Sequence, residues 1–265
     1  MMLSLLGLVW GLMRGVHDGW LSVPVLGALG GGLVLGAAFV VSQRREAWDA
    51  MVPPRLFRSP AFAAGNAAGS LMTASLMGTL FFMAQYFQVV QGRSPLGAGL
   101  GMLPWTATLF LVGPVAGAMV LRVGARRLVV TGLALQGLGV GWVALLAGAQ
   151  SAYALWVLPM VVTGAGVSMA MPAVQSAVLA EVEPSDIGKA SGLFQTLRQL
   201  GGVLGVAVAA TVFTGAGGYA GAQQFSDGFA RALAACAFLS FAGAAVAFRL
   251  RGKATLSVQL TGAKA

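Results

Sequence analysis

Between Arg127 and Glu181 lie 53 residues without a charged side chain. A water-soluble bundle shows a polar face on every helix, so it cannot carry such a run. A bilayer requires one, because a charge at the bilayer centre costs about 3 kcal/mol or more. One spanning helix takes roughly 20 apolar residues, so the run holds two crossings joined near 148–151. The fold class that follows is all-α: a polytopic membrane helix bundle.

Charges cut the rest of the 265 residues into similar blocks. Full spans are expected at 22–42, 61–90, 97–121, 128–148, 154–180, 193–213 and 228–248. Residues 1–13 are also uncharged, but at ~1.5 Å per residue they reach about 20 Å of a ~30 Å core. They read as a partial helix, and they lack the basic start and cleavage site of a signal peptide. The expected plan is therefore seven full spans plus one partial. Residues 1–42 form the partial helix and first span, 43–60 a cytoplasmic linker, 61–250 a six-helix unit and 251–265 a cytoplasmic tail. The paired Pro53 and Pro54 mark the linker, since proline stops helices.

Of the sixteen basic residues, all but Arg14, Arg93 and Arg231 fall in alternate loops on one side. The positive-inside rule puts that side in the cytoplasm and both termini with it, as in a multi-pass protein of the plasma (inner) membrane. The same rule accounts for the net charge of +9, so no nucleic-acid partner is expected; the partner is the lipid bilayer. The single Cys236 offers no disulfide framework. No metal-ligand cluster, phosphate loop or catalytic set appears, so neither an enzyme nor a cofactor is expected.

Polar residues inside spans carry more information. Asn66, Ser70 and Thr73 share one helix face, which continues through Met77, Ala84 and Gln88 with Gln85 adjacent. Gln136, Gln175 and Gln195 add uncharged hydrogen-bonding groups from other helices. With Phe81, Phe82 and Tyr86 nearby, this pattern suits a cavity for amphipathic organic molecules; interhelical hydrogen bonding is the competing account. Asn66, Thr73, Gln85, Gln88 and Gln136 are the candidate lining residues. The turn at Gly124, with Arg126 and Arg127, reads either as a gating latch or as topology-setting charge. Arg198 is the one charge well inside a span, placed to snorkel to the interface or to pair with Glu181, Glu183 or Asp186. No Asp or Glu is expected within any span.

Ser94-Pro95-Leu96-Gly97-Ala98-Gly99-Leu100, then Gly113-Pro114-Val115-Ala116-Gly117 leading into Arg122-Val123-Gly124-Ala125-Arg126-Arg127, resembles the second half of a major facilitator. The block from Ala190 to Gly202, ASGLFQTLRQLGG, is similar to the fourteen-helix drug:proton antiporters of that superfamily. The resemblance implies that 1–42 correspond to two extra central helices and 61–248 to a C-terminal six-helix half, the N-terminal six helices with their proton-coupling acids being absent. It implies one wall of a cavity for small amphipathic compounds exported in exchange for protons, once an N-terminal half is supplied. Leu121 stands where the family's loop motif usually carries an acid. The alternative is a non-transporting remnant or an assembly partner of a full-length carrier.

Overall fold

The computed structural model describes residues 22–45, 54–148 and 152–251, together with 4, 7, 10, 11, 14, 15 and 19. Among the described residues the helices with defined bounds are α1 (Val23–Arg45), α2 (Pro60–Val89), α3 (Pro95–Gly101), α4 (Leu103–Val123), α5 (Ala125–Leu145), α6 (Ala154–Leu179), α7 (Ile187–Ala216) and α8 (Ala222–Ala247). Short 3-10 turns occupy Pro54–Arg58 and Pro184–Asp186. Among the described residues six helices, α2 and α4 to α8, are long and apolar enough to cross a membrane, and α1 adds the shorter apolar stretch Val23–Ala38. Most of the expected partial helix and most of the 251–265 tail lie outside the described residues. Of that first helix, Ser4 donates to Gly32 O at 2.8 Å, and Gly7 and Gly11 approach α1.

Local chemistry sets the helix ends. Ser59 caps α2 by accepting from Phe62 N, with Pro60 in the first turn; Ser94 caps α3 from Gly97 N in the same way, with Pro95 following. Both cases combine a side-chain acceptor with a residue whose missing N–H costs nothing there. Gly124 joins α4 to α5 at φ 91°, a left-handed conformation that a Cβ would strain.

Two expectations need correction. The span expected at 97–121 is broken at Met102 into α3 and α4. Pro104 sits in the first turn of α4, where its ring has no carbonyl to clash with. Pro114, Pro159 and Pro172 lie inside helices. Second, α7 and α8 begin six residues before the expected spans, since a helix continues past the apolar core into the polar layer. Asp227 therefore falls within α8. Asp227 is exposed and accepts from Gln223 Nε2 at 3.1 Å.

The helices pack as two interlocked triplets, α2-α4-α5 and α6-α7-α8. The first helix of each triplet packs on the second and third helices of the other: α2 on α7 and α8, α6 on α4 and α5. The two third helices, α5 and α8, pack together. Glycine makes these crossings close. A Cβ on Gly205 of α7 would collide with the Ala74 backbone of α2. One on Gly132 of α5 would lie 2.6 Å from Gly166 O of α6. Small residues permit such approach where lipid supplies no hydrophobic drive between helices.

Candidate functional site

The polar face expected on α2 divides along its length. At the Ser59 end it turns into the bundle. Asn66 and Thr73 are buried, and their side chains donate to Phe62 O and Gly69 O one turn back. Ser70 Oγ bonds Leu197 O across the α2–α7 crossing at 3.0 Å. Gln136 of α5 is fully buried and donates to Met72 O of α2 at 3.2 Å. Asn66 Oδ1 and Gln136 Oε1 are both buried without a donor among the described residues.

At the other end the face is uncovered. Met77, Phe81 and Gln88 are exposed at i, i+4 and i+11, with Gln85 half-buried beside them. Gln175 of α6 and Gln195 of α7 are exposed as well. The five candidate residues thus fall into a buried trio (Asn66, Thr73, Gln136) and a surface pair (Gln85, Gln88). The least covered spanning helices are α4 and α7, where Phe110, Leu111, Val115, Leu204 and Val208 are exposed.

An aromatic cluster closes the Tyr86 end. Tyr86 stacks on Trp156 at 4.6 Å and meets Phe229 at 4.6 Å, and its hydroxyl donates to Gly148 O at 2.6 Å. Arg93 lies over Phe87 and Tyr153, 5.0 and 4.6 Å from the ring centroids, a cation–π contact on two rings. Tyr219 donates to Gln85 Oε1 at 2.8 Å. Desolvation pushes the Tyr219 hydroxyl above its ordinary pKa, against the opposing effect of that bond, so it remains a protonated donor at neutral pH.

The opposite end carries an ionic clasp that sequence reasoning missed. Arg55 Nη2 meets Asp186 Oδ2 at 2.7 Å, Ser59 Oγ donates to Glu181 Oε2 at 2.7 Å, and Arg251 Nε lies 3.5 Å from Glu181 Oε1. The segment before α2, the α6–α7 loop and the chain beyond α8 are held together by these contacts. The available signal was three acids in one loop facing a basic linker. Of the acids expected as partners for Arg198, Glu181 and Asp186 pair with Arg251 and Arg55 instead. Arg198 lies eleven residues into α7, about 16 Å along it, with its Nε buried and without a hydrogen-bond partner among the described residues. Because the Arg55 side chain is 59% exposed, Arg55→Ala should cost about 1 kcal/mol or less, read as the thermal midpoint in detergent. A loss of several kcal/mol would mean that the clasp holds the bundle itself.

At the α4–α5 turn, Arg126 lies over the Phe248 ring at 5.7 Å, while Arg122 and Arg127 are exposed. Among the described residues no group of three His, Cys, Asp or Glu could hold a metal ion.

Two interlocked triplets of membrane-length helices, with uncovered apolar faces on α4 and α7, define a class: a six-helix unit of the kind that secondary transporters use in pairs. The profile of the Major Facilitator Superfamily matches residues 1–206, and the chain belongs to that family. It is a multi-pass membrane protein. It is 38% identical over 212 residues to the cephamycin export protein CmcT of Amycolatopsis lactamdurans, covering 79% of this chain and 43% of that one. The tetracenomycin C resistance and export protein of Streptomyces glaucescens is 32% identical over 201 residues, covering 76% and 37%. The multidrug efflux pump LfrA of Mycolicibacterium smegmatis is 32% identical over 211 residues, covering 80% and 41%. The chain spans less than half the length of these relatives.

Proposed function

We propose that the chain is the C-terminal part of a proton-coupled efflux carrier of the plasma membrane, exporting small amphipathic organic compounds when an N-terminal six-helix half faces it. The uncovered stripe of Met77, Phe81, Gln85 and Gln88 carries this reading. It is apolar with two neutral hydrogen-bonding groups, the chemistry of a cavity wall that takes varied amphipathic molecules. The uncovered faces of α4 and α7 are where the other half packs. Asn66, Thr73 and Gln136 stand behind the wall, and the free amide oxygens of Asn66 and Gln136 accept from a substrate N–H or a water when the helices part. The Gly124 turn with Arg126 and Arg127 is the latch at the cytoplasmic end. The protons are taken up by acids of the other half, because Asp227 sits at a helix end and not in the apolar core.

The experiment is dye movement in inverted vesicles under a proton gradient. The expected result is no movement with this chain alone and gradient-driven movement when it is co-produced with a six-helix N-terminal half of one of its relatives. Movement by the isolated chain overturns the half-carrier account. No movement in either case overturns transport in favour of a non-transporting membrane protein.

A further inference from the structure

The charges at the clasp end are unevenly distributed. The acids there, Glu181, Glu183 and Asp186, all lie in or beside the α6–α7 loop, and Glu181 and Asp186 are occupied by Arg251 and Arg55. At the corner where α5 begins and α8 ends, Arg126, Arg127 and Arg249 stand beside the Arg251–Glu181 pair, whose acid is already matched. Among the described residues, the exposed side chains of Arg127 and Arg249 make no ion pair or hydrogen bond. Arg126 is held over the ring of Phe248, itself 58% exposed. Positive-inside sorting accounts for the number of these charges, but not for an arginine steadied on an exposed aromatic ring at a helix junction.

The apolar surface beside this corner runs the right way. Phe241 lies over Gly137 at the α5–α8 crossing, and Phe238 and Leu138 are exposed further from the charged end. A phosphodiester can meet the guanidinium groups while its acyl chains lie along those rings, because Arg forks match phosphate oxygens and basic pockets between membrane helices suit anionic headgroups. We propose that Arg126, Arg127 and Arg249 bind the headgroup of an anionic phospholipid of the facing leaflet, with its chains in the α5–α8 groove. The proposal rests on membrane residence and not on transport. Charge complementarity selects an anionic lipid over a zwitterionic one.

The test is native mass spectrometry of the full chain, released from nanodiscs containing equal dioleoyl phosphatidylglycerol and dioleoyl phosphatidylcholine. Phosphatidylglycerol should be retained at least fivefold over phosphatidylcholine. Substituting R126Q, R127Q and R249Q together should abolish the preference, while R231Q at the opposite end keeps it. The single R127Q, at an exposed position, should reduce the preference at least twofold and serves if the triple variant does not fold. Equal retention of both lipids, or an unchanged preference in R127Q, overturns the proposal. So does loss of bound lipid when an N-terminal half is co-produced, which would assign the corner to that half.

Discussion

Gly205→Ala leaves little folded bundle in detergent, whereas Gly113→Ala and Gly117→Ala keep the stability within about 1 kcal/mol of the parent. The three positions look alike in sequence, each being one of a glycine pair spaced four apart in an apolar helix. Their surroundings differ. A Cβ at Gly205 meets the backbone of Ala74, and one at the neighbouring Gly201 meets the backbone of Ser70. A flexible side chain could turn aside, but a helix backbone cannot without moving the whole of α2. Overpacking commonly costs about 1–3 kcal/mol, and a backbone collision lies at or beyond the top of that range. Around Gly113 and Gly117 there is nothing within 4 Å. Size-exclusion profiles and thermal midpoints of the three variants check this, and a well-folded Gly205→Ala would show that α2 and α7 are not locked at this crossing.

The same contrast shows what could be read from the sequence. Blocks free of charge locate the six membrane-length helices, because the penalty for a charge in lipid is large and local. Helix ends are less legible, since α7 and α8 run on into a layer where Lys189 and Asp227 cost little. The helical period put Asn66, Ser70 and Thr73 on one face, which is a local property. Ser70 bonds Leu197, 127 residues away, so a buried helix crossing and an open cavity wall look identical until the partner helix is in place. The clasp escaped notice for a related reason: Arg55 and Asp186 are 131 residues apart, and an exposed loop arginine has no pattern that names its partner. Glycine pairs are the extreme case, because only the crossing distinguishes Gly205 from Gly113.

Trp156→Ala costs about 3 kcal/mol or more, while Trp156→Phe costs less than half as much. Trp156 is completely buried where α6 begins, 4.6 Å from Tyr86, 5.7 Å from Phe87 and 5.9 Å from Phe229 between ring centroids. Each aromatic pair contributes about 0.5–1.5 kcal/mol beyond area burial, and alanine removes all three and leaves a void. Phenylalanine keeps a ring in the stack. It also gives up no polar contact among the described residues, where the indole Nε1 is buried without a hydrogen-bond partner, and an orphaned buried donor is itself a cost. Arg93 feels the change indirectly: its guanidinium rests on Phe87 and Tyr153, and Phe87 loses its packing partner in the alanine variant. Thermal unfolding of both variants, followed by tyrosine and tryptophan fluorescence and by circular dichroism, separates them. Equal losses for Ala and Phe would mean that the indole N–H has a partner after all, and that this end of the bundle is held by a hydrogen bond rather than by stacked rings.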